Sequence, residues 1–324
     1  MRNFLTGQVI RATTATVTCV LGLTLTTFNV SATPIASWPK CPEVVIVAAR
    51  GSEQNDNITP TRYSATAPAE FSSNGYEAEN IQGLLHLVER RYGQTHHGAS
   101  VMDSVAVLGL DAQAFPAQMY LPRLGEEGEE LPAGELANRI GGILSSVPLP
   151  ELVNRPIREA VTGINQGIDS LPSVIEQFEQ TSGCKPDYLY TGFSQGAVVL
   201  GSQEQLLFQQ GRLRGSVYLG DPTFSREQLG AQDVLVGNPI VGKGLIHQLP
   251  PSTPEREAVM RRHALAQVPH VYYCVAGDYA CDTSAETVAK SLQEQGGPHV
   301  KYFLGAEPNL EDTQVADAVI DLIE

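Results

Sequence analysis

The stretch "LYTGFSQGAVVL", residues 189–200, carries the strongest structural signal of this sequence. Its first half is aromatic and apolar, as in a buried strand, while residues 197–209 have apolar positions at helical spacing. Ser194 lies between the two halves in a G-x-S-x-G pattern. A strand, a tight turn at serine and a helix form a nucleophile elbow, in which the glycines let strand and helix approach each other. An ordinary strand-to-helix turn with a serine near the cap gives the same pattern. To identify Ser194 as a nucleophile, a base and an acid must therefore be found elsewhere in the chain.

Strand-like runs alternate with helical stretches along the rest of the chain. The predicted strands are residues 44–49, 101–110, 188–193, 216–220 and 270–275, and the predicted helices are residues 81–92, 164–181, 197–209, 282–295 and 312–323. This alternation predicts an α/β fold, a three-layer sandwich whose central, mostly parallel sheet carries helices on both faces.

The N-terminus has the pattern of a secretory signal peptide. Arg2 and Arg11 precede an uncharged stretch, residues 12–32, which ends in the small residues Val30, Ser31 and Ala32. We therefore expect a signal peptide over residues 1–32 and a single secreted domain over residues 33–324, extracellular or in the cell envelope. A retained membrane anchor is the alternative interpretation.

The charge of the chain is strongly acidic. Its 21 basic and 36 acidic residues give a formal net charge of −15, and loss of residues 1–32 would remove two arginines and make it −17. Such a surface repels nucleic acid and anionic lipid. The charge therefore argues against a nucleic-acid-binding protein and favours a neutral substrate.

The cysteines agree with export to an oxidising compartment. Of five cysteines, Cys19 lies in the expected signal peptide, and the remaining four allow three disulfide pairings. Cys274 and Cys281 are close enough to close a short loop, which leaves Cys41 for Cys184. No cysteine and histidine spacing suggests zinc, and we expect neither a metal nor another cofactor.

Residues 122–156 do not fit a compact alternating pattern. They form an acidic stretch followed by an apolar one that proline interrupts. A solvated surface excursion is one interpretation. The other is a flap that covers an apolar mouth with Ile140, Ile143, Leu144, Val147, Leu149 and Leu152. A second segment, residues 237–254, has too many glycines and prolines for regular structure.

Partners for Ser194 follow it in the order that serine hydrolases with an elbow require. A serine hydroxyl needs a base to take its proton and a third group to orient that base, and the acid precedes the histidine in the chain. Asp278 follows a predicted strand within "CVAGDYACD", and His299 lies on the glycine-bounded loop "GGPHVKY". The sequence predicts a Ser194, Asp278 and His299 triad.

Each partner has a competitor. Asp278 is also a plausible turn residue, and Asp282 is an alternative acid or the cap of the next helix. Three other histidines follow Ser194. His270 begins a strand and is expected to be structural. His263 lies in an arginine-rich helical stretch and is expected to be exposed, and His247 remains an alternative base.

An oxyanion hole needs two hydrogen-bond donors. The backbone N–H of Gln195, directly after the nucleophile, is one by the geometry of the elbow. The other is expected from a turn after an N-terminal strand, and "VAARGSEQN" places Ser52 there. A plain turn at this position remains the alternative.

Several stretches together resemble the cutinase family of serine esterases. They are "CPEVVIVAARGSEQ", "GFSQG", "CVAGDYACD" and "PHVKY", and with the sequence between them they cover most of residues 41–305. The resemblance implies an α/β-hydrolase fold, Ser194 as nucleophile, His299 as base, Asp278 as its partner, and Ser52 and Gln195 as oxyanion donors. It also implies the disulfides Cys41–Cys184 and Cys274–Cys281.

The same resemblance sets the functional expectation, a secreted serine esterase that acts on cutin-like polyester, short-chain or lipid esters. A lidded lipase or an acetylxylan-type carbohydrate esterase is the alternative, and so is a catalytically inactive cell-envelope binding protein. We expect a monomer with an ester substrate and contact with a lipid interface. Two departures from the compact family pattern concern substrate access: the insertion at residues 122–156 and the long separation of Asp278 from His299.

Overall fold

A computed structural model of the chain describes residues 37–120, 124–125, 131–262 and 265–324. Its sheet has six strands in the order β2-β1-β3-β4-β6-β5, and every neighbouring pair is parallel. The strands are β1 (Val44–Ala49), β2 (Val105–Gly109), β3 (Asp187–Phe193), β4 (Leu213–Leu219), β5 (Val234–Val236) and β6 (His270–Tyr273). All five predicted strands are present, although residues 101–103 of the predicted strand 101–110 form a 3-10 turn before β2. The short edge strand β5 was not predicted.

The helices of the described residues lie between and after these strands. They are α1 (Ala78–Thr95), α2 (Ala133–Ser146), α3 (Leu149–Ser182), α4 (Gln195–Gly201), α5 (Glu204–Phe208), α6 (Pro254–Arg262), α7 (Ala285–Gln293) and α8 (Leu310–Ile323). The helix predicted over residues 197–209 is divided into α4 and α5. The other predicted helices are confirmed, and α2 and α6 are additional.

The strands are buried on both faces, so two cores flank the sheet. On one face Val45 and Val47 of β1 share a core with apolar residues of α3 and α4, such as Ile168. On the other face Ile46 shares a core with residues of α1 and α8, such as Leu84. Alternate residues of one strand therefore bury against opposite helical layers, which confirms the predicted three-layer α/β sandwich.

Beyond residue 132, the segment of residues 122–156 is helical except for Val147 and Pro148, which separate two helices. It contains α2 and the beginning of α3, a helix of 34 residues with Pro156 and Pro172 in its interior. The predicted helix over residues 164–181 is only the second half of α3. Proline usually ends or kinks a helix, which is why the sequence pattern suggested an irregular excursion there. Residues 237–254 form no strand, as predicted, and hold a 3-10 turn at Leu245–Gln248.

Two disulfides stabilise this framework, one between segments remote in sequence and one within a short loop. Cys41–Cys184 joins the segments that lead into β1 and β3, and Cys274–Cys281 closes a loop directly after β6. Both pairings match the expectation, and disulfides persist in oxidising, extracellular-type compartments. Within the described ranges, no helix has the length and apolar character needed to cross a bilayer. The predicted signal peptide and His263 lie outside the described residues.

Candidate active site

Ser194 forms a sharp turn between β3 and α4. Its backbone has φ 53° and ψ −117°, a conformation that residues with a side chain rarely adopt. Two hydrogen bonds hold it: the Ser194 N–H donates to the Leu219 carbonyl at 2.9 Å, and its own carbonyl accepts the Ala197 N–H at 3.0 Å. Such strain persists only where the surroundings impose it. The predicted strand, elbow and helix geometry is therefore present.

The two glycines of the pattern are required by close packing. A Cβ atom at Gly192 would lie 2.6 Å from the Cα of Ala197, and one at Gly196 would lie 2.0 Å from the Ala49 carbonyl oxygen. Both distances are far inside van der Waals contact. The elbow therefore folds back on its own strand and presses against the end of β1.

Ser194, His299 and Asp278 lie in one hydrogen-bonded chain. His299 Nε2 is 2.9 Å from Ser194 Oγ, and His299 Nδ1 is 2.8 Å and 3.0 Å from the two Asp278 carboxylate oxygens. A carboxylate accepts only, so Nδ1 carries the proton and the Nε2 lone pair faces the serine hydroxyl. The arrangement allows the imidazole to take the proton of Ser194 while Asp278 stabilises the imidazolium.

Asp278 is fully buried in the disulfide loop after β6. Its Oδ1 also accepts the Ala280 N–H at 2.7 Å. The competitor Asp282 is engaged elsewhere: its carboxylate accepts backbone N–H groups of Ile240 and Gly242 at 2.9 Å and 3.0 Å, as well as that of Val241. Asp282 therefore anchors a neighbouring loop and does not reach the imidazole.

His299 lies on the 3-10 turn Gly297–Lys301, which two residues with positive φ, Gly296 and Gly297, introduce. Its ring packs against Phe193 and Tyr279, with centroids 5.0 Å and 4.9 Å away. The competing histidines have other partners: His247 bonds to the Thr223 carbonyl, and His270 bonds to Glu204 and Asp233.

Sequence analysis missed two residues of this site. Tyr302 OH donates to Asp278 Oδ2 at 2.6 Å and accepts the Val275 N–H at 3.1 Å. Burial raises the pKa of Tyr302 well above its usual value, and the nearby Asp278 charge adds to the effect. The phenol therefore stays protonated and donates. Its signal in the sequence was only its position three residues after His299.

The second missed residue is Gly220, directly after β4. Its φ is +54°, and a Cβ atom there would lie 2.7 Å from Asp278 Oδ2 and 2.9 Å from the imidazole of His299. A side chain would push the acid and the histidine apart. A glycine that ends a strand in "YLGDPTF" was the available signal, because such glycines often mark close approach.

One expected oxyanion donor begins α4, and the other lies in the turn after β1. Gln195 is the first residue of α4, so its N–H has no acceptor within the helix. Ser52 follows β1 by three residues in a turn. A Cβ atom at Gly51, directly before it, would lie 2.6 Å from the ring of Phe193. The turn that carries Ser52 thus rests on the residue before the nucleophile.

Arg50, directly before Gly51, is fully buried and anchors this turn. Its guanidinium donates to the carbonyls of Leu110 and Phe115 at 2.6 Å and 2.8 Å, and to Asn55 Oδ1. Burial lowers the pKa of Arg50 to about 10, so it remains charged at neutral pH. Within the described ranges, no three His, Cys, Asp or Glu side chains are grouped as metal ligands would be.

No protein-family profile and no curated protein matches the chain, but solved structures do. An acetylxylan esterase is 14% identical, with 88% of this chain and 100% of its own covered and a TM-score of 0.41. A cutinase-like protein from Cryptococcus sp. is 14% identical, with 84% and 100% covered and a TM-score of 0.34. Trichoderma reesei cutinase with a phosphonate inhibitor is 14% identical, with 88% and 78% covered and a TM-score of 0.35.

The architecture itself defines the fold class. The sheet is parallel throughout, the strained Ser194 connects a central strand to a helix, and Asp278 and His299 follow later strands in the chain. This is the order of parts in an α/β-hydrolase, so the chain has the α/β-hydrolase fold that its motifs predict.

Proposed function

We propose that the protein is a serine esterase that hydrolyses carboxylic esters through an acyl-enzyme. The observation that carries the proposal is the hydrogen-bonded chain from Ser194 Oγ through His299 to Asp278, at 2.9 Å and 2.8 Å, beneath a strained elbow. Strain of this kind at a serine with an adjacent base is typical of an activated nucleophile.

The proposed reaction has two steps. Ser194 Oγ attacks the ester carbonyl carbon while its proton moves to His299 Nε2, and the carbonyl oxygen becomes an oxyanion near the N–H groups of Gln195 and Ser52. His299 then gives the proton to the departing alcohol. Water, deprotonated by His299, attacks the acyl-Ser194 ester, and His299 returns that proton to Ser194 Oγ as the acid is released. Asp278 remains ionised throughout and orients the imidazole.

The experiment compares initial rates on p-nitrophenyl esters from acetate to palmitate for the wild type and Ser194→Ala. We expect the variant to lose at least about 1,000-fold in kcat. Ser202→Ala is the matched control, because that hydroxyl donates only to the Val198 carbonyl of its own helix region. Near-normal activity of folded Ser194→Ala would contradict the assignment. Failure of the wild type to react at Ser194 with a fluorophosphonate would favour the inactive binding protein.

A lidded lipase is the second candidate, because both ends of residues 131–160 are hydrogen-bonded to segments that carry residues of the triad. Leu131 N–H donates to the Gln293 carbonyl at 3.0 Å, six residues before His299, and Gln195 Nε2 donates to the Ala160 carbonyl at 3.1 Å. Ser194 and His299 are only 8% and 4% exposed. We propose that the segment between these attachments covers Ser194 and His299 and would expose them by moving.

The apolar residues of α2 fit this second candidate in part. Leu144 is 42% exposed, and Ile140, Ile143 and Val147 are half-buried; the side chains of Leu149 and Leu152 lie outside the described part. If α2 forms a lid, the rate of tributyrin hydrolysis should rise sharply above the solubility limit of tributyrin. This rise should be smaller in Leu144→Ser. Leu310→Ser, which changes a leucine 73% exposed on α8, is the control. A rate that saturates below the limit would instead support an esterase for soluble substrates.

A further inference from the structure

Two amide side chains, one half-buried and one buried, connect the turn before Ser52 to the segment after His299. Gln54 Oε1 accepts the Gly51 N–H at 2.8 Å, and Gln54 Nε2 donates to Asn80 Oδ1 at 2.5 Å. Asn80 Nδ2 then donates to the Tyr302 carbonyl at 2.8 Å and approaches the Val300 carbonyl at 3.4 Å. We call Gln54 and Asn80 the amide bridge.

Asn80 is an unusual residue for its place. It lies in the first turn of α1, is 1% exposed, and has buried Ile81 and Leu84 as helix neighbours. Asparagine is a poor helix former, and a buried amide is costly unless it is hydrogen-bonded. An apolar residue would serve the core better. The amide is therefore explained by the two segments that it joins.

Both ends of the amide bridge lie beside groups of the proposed mechanism. At one end, the bonded Gly51 amide fixes the Arg50–Gly51 peptide, one peptide unit before the N–H of Ser52, and Gly51 packs on Phe193, which precedes the nucleophile. At the other end, Tyr302 donates its hydroxyl to Asp278. We call the turn that carries Ser52 the oxyanion turn. One hydrogen-bonded connection thus joins it to the pair of Asp278 and His299, although 251 positions separate Gly51 from Tyr302.

We propose that Asn80, acting with Gln54, is a positioning residue that sets the oxyanion turn relative to His299 and Asp278. The inference rests on the proposed esterase function and adds to it a residue that does not touch the substrate. Displacement of reacting groups by about 1 Å can cost about 100-fold in rate, and loss of one oxyanion donor costs about 100- to 1,000-fold. A loosened turn should cost less, about 10- to 100-fold in kcat, with KM nearly unchanged.

The variants Asn80→Ala and Gln54→Met test this. Gln54 is only half-buried, and methionine keeps its length, so this variant remains informative if Asn80→Ala does not fold. Gln82→Met is the matched control. Its amide lies two residues further along α1 and donates to Thr61 Oγ1 at 2.7 Å, away from the triad.

The measurements are kcat and KM on a p-nitrophenyl ester, and the inhibition constant of a trifluoromethyl ketone whose adduct with serine carries an oxyanion. We expect a 10- to 100-fold weaker inhibition constant that follows the loss in kcat in both bridge variants, and no change in Gln82→Met. Wild-type constants in folded bridge variants, or a fall in kcat without weaker ketone inhibition, would overturn the role of the bridge. A wild type that no fluorophosphonate labels at Ser194 would instead overturn the proposed function, and the inference with it.

Discussion

The phenol oxygen of Tyr302 lies 2.6 Å from Oδ2 of Asp278, whose two oxygens also contact the imidazole of His299. The acid of the site therefore serves two donors, a histidine and a tyrosine. The disulfide loop supplies a third donor, the Ala280 N–H. All three donors are hydrogen-bonded to one buried carboxylate, so together they hold it in place beside the imidazole.

Tyr302→Phe should lower kcat/KM about tenfold, equivalent to ~1.4 kcal/mol. Without the phenol, Asp278 Oδ2 loses a buried hydrogen-bond donor, so the carboxylate is held less firmly beside His299. Steady-state rates on a p-nitrophenyl ester measure the effect. Tyr279→Phe is the control, because that ring packs against His299 at 4.9 Å. Wild-type kcat/KM in Tyr302→Phe would show that its hydroxyl does not help to hold Asp278.

Gly220→Ala should reduce kcat/KM about 100-fold or more, because the new methyl group would lie within 3 Å of both Asp278 and His299. Gly211→Ala provides the comparison. Gly211 also has a positive φ, +66°, but a Cβ atom there meets nothing within 4 Å. Both variants should lose about 1 kcal/mol of unfolding free energy through backbone strain. Equal activity of the two variants would mean that the acid and the histidine tolerate separation.

Removal of one disulfide should mainly lower stability, and removal of the other should mainly lower activity. Cys41–Cys184 spans 143 positions and Cys274–Cys281 spans 7, so their removal should cost about 5 and about 2.5 kcal/mol as upper values. Only the short one encloses Asp278. We expect the double alanine variant at Cys274 and Cys281 to lose more kcat, and the variant at Cys41 and Cys184 to lose more unfolding free energy. Denaturant unfolding and steady-state rates check this, and the reverse order in kcat would contradict it.

His270 should make the stability of the protein dependent on pH. Its Nε2 is 3.0 Å from Glu204 and its Nδ1 is 2.9 Å from Asp233, and all three groups are buried. Burial lowers the pKa of His270, but the hydrogen bonds and charges of Glu204 and then Asp233 outweigh it, so the net pKa is raised. Imidazolium can donate to both carboxylates, whereas neutral histidine can donate to one only.

A raised folded-state pKa stabilises the protein fully below the unfolded value, about 6.5, and this contribution disappears as the pH rises through the folded pKa. We therefore expect the free energy of unfolding to fall in the wild type as the pH rises above about 6.5. The fall should be smaller in His270→Gln, which does not titrate. Tyr218 and Tyr272 also face this cluster, so Tyr272→Phe serves as the control. A difference between wild type and His270→Gln that grows with pH would contradict the prediction.

Much of the fold followed from local patterns. The run at Val44–Ala49 is apolar on both faces and was predicted to the residue. The elbow was recognised because G-x-S-x-G follows such a run. The three-residue strand β5 was not recognised, because its pairing with β6 at the edge of the sheet, and not its own sequence, defines it. Helix α3 was read as half its length because Pro156 interrupts its first half.

The site was predictable where chain order and residue type carry the chemistry, as for Ser194, Asp278 and His299. Gly220, Tyr302 and Asn80 were not predictable in the same way. Each acts through a contact with a segment that is remote in sequence: Gly220 through the space it leaves beside Asp278, Tyr302 through its hydroxyl, and Asn80 through its link from α1 to the Tyr302 carbonyl. Contacts of this kind depend on the folded sheet.

The parallel order of the sheet has a consequence for how activity appears during folding. The groups of the site follow β1, β3, β4 and β6, which become neighbours only through parallel pairs such as Val44 with Asp187 and Ser216 with His270. Parallel pairing requires long crossovers, and folding that depends on such distant contacts is slow. A partly formed sheet would contain no complete triad, so a refolding chain should recover catalytic turnover only when its slowest crossover has closed.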